Sequence, residues 1–358
     1  MQKKKRIDSL QVLRAVGFLE IFLGHAGVSF FTGAFGVSMF VVLSGFCLTI
    51  NYLPKIDQQN VSVIGNLKFA VSRIKKLYLL HLIMLLIKYV LSNMPTSSLA
   101  IRRILLNIFL VQSWSPYAED YFSYNGVAWY LSTYLFICFF APWLIKGLSG
   151  IKKKETIAAA GIFVYFAMIL IGVLAFKRPL NFGDSFPYWL TYIFPFYRLL
   201  DFSLGALLGW LYLNTSHKER WNFGISTILE IFTIILFIAV VKIFHRIEGV
   251  YDGLCYTALF APVSLWLVIT FLKSKGAVMK LLSNPLFTWI GNLSSYTFLI
   301  HQIVIYQMMK ILSEDFSGTR FRILVILTSF LISMTSAQLI VFVNRIFEKR
   351  KGKESKGE

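Results

Sequence analysis

Long apolar segments recur about every 25 to 40 residues along this chain of 358 residues. A helix needs roughly 20 consecutive apolar residues to cross the hydrocarbon core of a bilayer, and most of these segments approach that length. Hydrophobic residues make up 57% of the chain and charged residues only 15%, whereas about a quarter of the residues in a soluble domain are charged. The sequence therefore predicts an all-α, polytopic membrane protein and excludes a soluble globular one.

The predicted spans number about ten. They lie near residues 9–31, 34–53, 77–93, 127–146, 156–176, 190–213, 224–241, 254–272, 286–309 and 323–344. With the N-terminus inside, most of the 36 Lys and Arg residues fall in the inner segments, which is the positive-inside pattern of a multi-pass plasma-membrane protein. We therefore expect both termini to be cytoplasmic. The net charge of +19 then reflects this topology and does not indicate a nucleic-acid partner.

Three further features bound the domain organisation. Residues 104–114 would extend only about 16 Å as a helix, so we predict an interfacial or re-entrant helix in a long outer loop. The acids of that loop, Glu119 and Asp120, could line a pocket. Residues 1–347 are predicted to form one transmembrane domain, and residues 348–358 a charged, disordered cytoplasmic tail. The three cysteines lie within spans without metal-ligand spacing, so no metal site is predicted.

Arg14 and His25 stand eleven residues apart in the first apolar segment. At about 100° per residue, eleven residues make three turns plus about 20°, so both side chains lie on one helix face, roughly 16 Å apart along the axis. Ionisable groups inside a membrane span are costly and usually face a protein interior or a wet cavity with a function there. We therefore expect this pair to open onto one internal passage. Glu20 points more than 100° away and is expected to partner another helix.

Other polar residues of the spans fall into two layers. The basic residues before the third span lie near the cytoplasmic face together with Arg14; they are Arg73, Lys75 and Lys76. They could also be ordinary positive-inside charge. Polar groups from mid-depth outward are His25, Ser44, Ser132, Arg198, Asp201, Tyr296 and His301. This arrangement suits a phosphorylated donor that enters from the cytosol and an acceptor that arrives from the far side.

Several of these residues also have a purely structural interpretation. Arg14 could snorkel to lipid headgroups. Arg198 and Asp201, at i and i+3, could form a buried ion pair that holds helices together. His301 could be a hydrogen-bonded packing residue, and Ser44 could allow a close helix approach. The sequence leaves these alternatives open.

Five motifs, in order and at the expected spans, resemble those of the acyltransferase 3 family of integral-membrane acyltransferases. They are Arg14 and His25 with ten residues between them, FVVLSGF at 40–46, Arg73-Ile-Lys-Lys76, Trp129-Tyr-Leu-Ser132 and SYTFLIHQ at 295–302. The resemblance covers nearly the whole chain.

The resemblance implies an O-acyltransferase that moves an acyl group, acetyl by the habit of the family, from cytoplasmic acyl-CoA to a hydroxyl of a cell-surface glycan. The acceptor would be an exopolysaccharide, a capsule or a lipid-linked glycan, and a homo-oligomer or glycan-assembly partners remain open. His25, as general base or acyl carrier, would be catalytic together with Arg14 and His301. The donor would be bound by Arg14, Arg73, Lys76 and Ser44, and the acceptor by Trp129, Tyr130, Ser132, Arg198, Asp201 and Tyr296.

Two departures from the family pattern bear on substrates. Lys76 replaces the second arginine of the basic motif and lacks the bidentate fork of a guanidinium. Thr133 and Tyr134 stand where many members that modify peptidoglycan or lipopolysaccharide carry a glutamate, and the Trp129-Tyr-Leu-Ser132 form is more similar to members acting on capsular or exopolysaccharide sugars. Two alternatives stay open: an exporter or flippase for a polysaccharide or its lipid-linked precursor, and an acyltransferase for a lipid or another small molecule.

Overall fold

The computed structural model describes residues 8–92, 97–177, 186–215, 220–313 and 317–354, and every regular element in these ranges is helical. The prediction of an all-α protein is thereby confirmed. The α-helices are α1 (Asp8–His25), α2 (Ala34–Tyr52), α3 (Val63–Ser92), α4 (Ser98–Ile108), α5 (Ala118–Tyr121), α6 (Trp129–Ser149), α7 (Lys154–Lys177), α8 (Phe186–Tyr188), α9 (Pro195–Asn214), α10 (Phe223–Ile247), α11 (Asp252–Cys255), α12 (Ala261–Lys273), α13 (Ala277–Leu282), α14 (Pro285–Leu312) and α15 (Gly318–Glu354).

Five helical stretches of the described chain are long and apolar enough to cross a bilayer. They are Ala34–Gln58, Gly126–Ser149, Lys154–Phe176, Phe223–Ile247 and Gly318–Ile346, so the chain has the character of a membrane protein. The ten-span topology, the cytoplasmic termini and the division at residue 347 remain predictions. Helix α15 continues to Glu354, past the predicted start of the tail.

Helix α2 lies at the centre of the bundle and packs most extensively on α9. Glycines allow the two backbones to touch, because a Cβ atom on Gly205 would overlap the carbonyl oxygen of Val42, and one on Gly45 would overlap that of Phe202. Small residues of this kind permit close helix packing where lipid provides no hydrophobic driving force. Helices α7, α10 and α15 instead leave many large apolar side chains exposed, as lipid-facing helices do.

The first helix is shorter than its predicted span of 9–31, since it ends at His25. Gly27 adopts the left-handed conformation at φ 81°, and the amide of Val28 donates to the carbonyl of Leu23 while that of Gly27 donates to Gly24. These two bonds form a Schellman motif, in which a left-handed glycine ends the helix. His25 therefore occupies the last turn of α1.

Two other predicted segments also differ in detail. The predicted outer loop contains the expected short helix, α4, which has 11 residues and begins and ends earlier than predicted. It is followed by a turn that is fixed to α6, because the Ser132 hydroxyl donates to the carbonyl of Leu110 at 2.6 Å. The predicted span 254–272 is broken, and its continuous part, α12, has 13 residues.

Candidate active site

Three cavities lie in series through the bundle. The histidine cavity, of about 750 Å³, is lined by His25 and Trp129 among others. The arginine cavity, of about 120 Å³, is lined by Arg14, Ser44 and Tyr130 among others. The asparagine cavity, of about 330 Å³, contains Asn66 in its wall.

The order of the cavities follows from the helices that line all three. Along α3, Asn66, Leu77 and Lys88 belong to the asparagine, arginine and histidine cavities respectively. Successive members of this set are eleven residues apart, which is about 16 Å of helix axis. Helix α6 gives the same order when read from its C-terminal to its N-terminal end, from Pro142 to Trp129. The cavities therefore form a line from one end of these helices to the other.

His25 and His301 meet where α1 packs against α14. His25 Nδ1 lies 2.8 Å from His301 Nε2, and the two rings are stacked with centroids 5.0 Å apart. His301 Nδ1 lies 2.8 Å from the carbonyl oxygen of Phe298. The structure thus brings together two predicted catalytic residues from opposite ends of the chain.

For two uncharged rings, the hydrogen bonds assign the tautomers. A carbonyl oxygen can only accept, so the hydrogen of His301 is on Nδ1 and its Nε2 is an acceptor. His301 Nε2 then accepts from His25 Nδ1–H, which leaves His25 Nε2 as an unprotonated nitrogen. His301 is fully buried, whereas His25 lines the histidine cavity. A ligand in this cavity therefore lies beside an imidazole whose Nδ1 is held by a second ring.

The rest of the histidine cavity is rich in aromatic side chains, with a few charged or amide groups. The aromatic residues are Phe122, Tyr124, Trp129, Tyr188, Tyr192, Tyr256, Phe298 and Tyr306, and the polar ones include Lys88, Arg103, Glu119 and Gln302. Its volume lies within the range of small-molecule sites, about 300–1,000 Å³. Aromatic faces with polar tips present both an apolar body and hydrogen-bonding groups, which fits the two faces and the hydroxyl rim of a sugar ring.

Arg14 and His25 line different cavities, although the sequence suggested one passage. Val37 and Phe298 line both the arginine and the histidine cavities, so they form the wall between them. The Phe298 ring contacts the Tyr130 ring edge to face at 5.5 Å on one side and lies 5.8 Å from the His301 ring. The two cavities are therefore adjacent and separated by packed side chains.

The other predicted donor-binding residues lie at different depths. Ser44 lines the arginine cavity beside Arg14. The Arg73 guanidinium stacks at 4.9 Å over the ring of Tyr52 and at 4.8 Å over that of Phe69, and both rings line the asparagine cavity. Lys76 is exposed and lies outside the three cavities.

Trp129 and Tyr130, predicted together as acceptor ligands, face different cavities. Trp129 lines the histidine cavity, whereas Tyr130 lines the arginine cavity. Ser132 is buried and bonds the turn after α4, and Tyr296 is half-buried. Neither of these two lines any of the three cavities.

Arg198 and Asp201 form a fully buried ion pair with an N–O distance of 3.0 Å. Arg198 Nη1 also donates to the Thr257 hydroxyl at 2.7 Å, and its guanidinium carbon lies 5.5 Å from the ring centre of Tyr192. Neither charged residue lines one of the three cavities, but Tyr192 does. The ion pair is therefore connected to the histidine cavity only indirectly, through the contact of Arg198 with Tyr192.

Glu20 is a structural residue, as its helix face predicted. Its carboxylate accepts from the amides of Thr32 and Gly33 at 3.0 Å and from that of Gly36 at 2.8 Å. A carboxylate is favourable at a helix N-terminus, where amides lack partners. Glu20 thus fixes the start of α2, which forms one wall of the histidine cavity.

Several lining residues were missed from the sequence. Lys88 was visible as an ionisable residue within a span, and the cost argument used for Arg14 would have selected it. Tyr188, Tyr192 and Tyr256 come from short helices and turns, where an isolated tyrosine carries no pattern. Of the two loop acids, Glu119 lines the histidine cavity, whereas Asp120 is held by Arg102 at 2.6 Å.

No cluster of three potential metal ligands occurs within the described ranges.

No solved structure matches the chain. Two similar proteins, from Staphylococcus aureus strains COL and MRSA252, are each named "Putative O-acetyltransferase" and are 27% identical over 320 residues. The aligned part covers 85% of this chain and 51% of each relative, so the chain spans about half the length of the curated relatives it matches. The sequence profile of the acyltransferase 3 family, described as an acyltransferase domain, matches residues 7–340; the chain belongs to this family.

Proposed function

We propose that the protein is a membrane-embedded O-acyltransferase that moves an acyl group, acetyl in the first instance, from cytoplasmic acyl-CoA to a hydroxyl of an extracytoplasmic glycan. The observation that carries this proposal is the series of three cavities ending at His25, whose Nδ1 is held by His301. The glycan would be an exopolysaccharide, a capsular polymer or a lipid-linked precursor in the plasma membrane.

The proposed topology has ten spans with both termini in the cytoplasm. The asparagine cavity, beside the basic segment that ends in Arg73 and Lys76, then opens toward the cytosol. The histidine cavity opens on the opposite face. Each substrate would therefore approach from the compartment in which it is found.

The basic residues supply the donor site of this proposal. CoA carries its charge on phosphates, which guanidinium and ammonium groups bind through charge-assisted hydrogen bonds. Arg73 and Lys76 would bind phosphates near the cytoplasmic end. Arg14 and Ser44 would contact the pantetheine arm and the thioester further in, since they line the narrow arginine cavity.

The proposed chemistry takes place at His25. Its Nε2 removes the proton of the acceptor hydroxyl as that oxygen forms a bond to the thioester carbon. The carbon–sulfur bond then breaks, and CoA leaves as a thiolate that takes the proton back from Nε2. His25 Nδ1–H keeps its bond to His301 throughout, so His301 stabilises the imidazolium form and fixes the ring. The same Nε2 atom would carry the acyl group if transfer passed through an acylated enzyme.

The acceptor side of the proposal is carried by the aromatic wall. Trp129 would stack on a sugar ring, and Tyr192 would do so with the support of Arg198 and Asp201 behind it. Tyr130 would contact the thioester end of the donor, because it faces the arginine cavity. Ser132 would fix the loop that closes the acceptor site, and we assign no substrate contact to Tyr296.

The alternative of a glycan exporter is less well supported. A polysaccharide would have to pass through the arginine cavity, whose volume of about 120 Å³ is well below that of ordinary small-molecule sites, about 300–1,000 Å³. A lipid or small-molecule acceptor shares the donor argument. The many tyrosine hydroxyls and the charged groups of the histidine cavity favour a polyhydroxylated acceptor over an apolar one.

The test compares His25→Ala with His245→Ala, a matched control at the exposed end of α10. The purified protein in lipid nanodiscs receives acetyl-CoA labelled in the acetyl group and surface polymer from a strain without the gene. Loss of a general base typically costs about 10²–10⁴-fold in rate, so we expect that loss for His25→Ala and unchanged transfer for His245→Ala. Wild-type transfer by His25→Ala would refute the mechanism. Unmodified polymer trapped inside cells that lack the gene would favour the exporter.

A further inference from the structure

The side chain of Asn66 is fully buried, lines the asparagine cavity, and has no hydrogen-bond partner on either Nδ2 or Oδ1. Buried amides in proteins are nearly always hydrogen-bonded, because leaving such groups unpaired is destabilising. Asn66 thus carries one unused donor and one unused acceptor, side by side, in the wall of this cavity. That combination indicates a ligand with a matching donor and acceptor.

The residues around Asn66 suit a ligand with a flat ring and negatively charged groups. The Tyr52 and Phe69 rings line the cavity, and Lys68 contributes an ammonium group. The Arg73 guanidinium lies over both rings, so a second positive charge is adjacent. The volume of about 330 Å³ is at the lower end of small-molecule sites. Aromatic faces, an amide with an unused donor and acceptor, and two cations together fit a nucleotide.

The cavity is also held in a fixed shape. The first turn of α3 is pressed against the preceding loop, since a Cβ atom on Gly65 would overlap the carbonyl oxygen of Asn60. Asn60 itself lines the cavity. Its side chain is tied down, because its Oδ1 accepts from the Ser62 hydroxyl at 2.8 Å. Asn66 therefore lies in the wall of a pocket whose neighbouring loop is held in place.

We propose that the asparagine cavity is the subsite for the adenine nucleotide of the acyl-CoA donor, with Asn66 bonded to the adenine edge. Asn66 Oδ1 accepts from the N6 amino group while Nδ2 donates to a ring nitrogen, the bidentate pairing by which asparagine recognises adenine. Lys68 and Arg73 bind the phosphates. This assignment rests on the function proposed above, which supplies the identity of the base.

The distance along α3 agrees with this assignment. Asn66 and Leu77 are eleven residues apart, about 16 Å of helix axis, and Leu77 lines the arginine cavity. A nucleotide held at Asn66 thus leaves its pantetheine arm to run along α3 toward Arg14. The bulky end of the donor stays at the end of the bundle, and only the thin arm enters.

The experiment measures binding of adenosine 3′,5′-bisphosphate and guanosine 3′,5′-bisphosphate to the full-length protein in nanodiscs by calorimetry. The variant Asn66→Leu keeps the branched shape and the number of heavy atoms of the side chain but removes its hydrogen-bonding groups. The control Asn214→Leu alters an amide at the end of α9 that donates to the Trp210 carbonyl and lines none of the three cavities.

We expect the wild type and Asn214→Leu to bind the adenosine compound about tenfold or more tightly than the guanosine one, since a bidentate pair discriminates bases by that order. Asn66→Leu should lose both the affinity and the preference. Its unfolding temperature without nucleotide should equal or exceed that of the wild type, because an unpaired buried amide has been removed. Unchanged binding by Asn66→Leu, or equal binding of both nucleotides by the wild type, overturns the proposal.

A second measurement separates this inference from the function on which it rests. S-acetylpantetheine lacks the nucleotide, so Asn66→Leu and the wild type should transfer its acetyl group equally well. With the full donor acetyl-CoA, only the wild type should transfer the acetyl group faster than it does from S-acetylpantetheine. Equal gains in both proteins would refute the role of Asn66. Absence of transfer from either donor in the wild type would instead refute the proposed function.

Discussion

Replacing His301 with alanine removes the acceptor that holds the Nδ1–H of His25. The bond is 2.8 Å long. Because His301 is fully buried, bulk water does not replace its Nε2 as the acceptor. A buried donor left without a partner costs about 1–3 kcal/mol, and every 1.4 kcal/mol corresponds to a factor of ten. We therefore expect kcat/KM to fall about 10- to 100-fold in His301→Ala, less than in His25→Ala.

Two further substitutions identify which nitrogen of His301 matters. The amide end of glutamine can occupy the place of Nε2 and accept from His25, whereas the shorter asparagine reaches only the place of Nδ1. His301→Gln should therefore retain activity within about tenfold of the wild type, and His301→Asn should resemble His301→Ala. Equal activity of the two amide variants would show that the Nε2 contact is not the important one.

A double-mutant cycle tests whether the two histidines act as a unit. If His301 works only by holding His25, adding His301→Ala to His25→Ala should cause no further loss of transfer. Residues that act as a unit are strongly non-additive in this way. The assay is acetyl transfer from labelled acetyl-CoA to isolated surface polymer, with donor affinity measured separately to expose a binding or folding defect. If the losses of activity in the two single variants multiply in the double variant, His301 does not act by holding the Nδ1–H of His25.

Two other predictions concern the wall between the cavities and the packing of α2. Phe298→Ala should open the wall and raise the rate of acetyl-CoA hydrolysis without acceptor, measured as released thiol. The control is Phe287→Ala, on the same helix outside the three cavities. An unchanged rate of hydrolysis in Phe298→Ala would contradict the prediction. Gly205→Ala should lower the free energy of unfolding by about 1–3 kcal/mol, because its Cβ overlaps the Val42 carbonyl, while Gly147→Ala, which has open space around its Cβ, should be neutral. Equal unfolding temperatures for these two variants would contradict the packing argument.

The sequence predicted the helical class and selected both histidines, because burial of polar groups in apolar segments is visible without tertiary structure. Their contact was not predictable. It depends on how closely α1 and α14 cross, which Gly291 permits because a Cβ there would overlap the carbonyl oxygen of Gln11. Spacing along one helix fixes a face, but it says nothing of a partner hundreds of residues away.

The wall between Arg14 and His25 was missed for the same reason. Their shared helix face predicted a common passage, yet Phe298 arrives from α14 and fills the space between. Helix ends, by contrast, carried a local signal: the glycine at 27 could have placed the end of the first helix at His25. Asn66 was overlooked because an asparagine near a helix start normally indicates a turn or a cap.

The sizes of the three cavities define how such an enzyme would keep its substrates apart. The asparagine and histidine cavities, of about 330 and 750 Å³, are large enough for a nucleotide and for a sugar, whereas the arginine cavity of about 120 Å³ between them has room only for a slender arm. Neither bulky substrate can then cross the bundle, and the acyl group alone passes from one side to the other. In the proposed mechanism the reaction would occur at the wall formed by Val37 and Phe298, because the donor and acceptor cavities adjoin there. Acyl transfer across the membrane would thus require movement of one aromatic side chain and no rearrangement of whole helices.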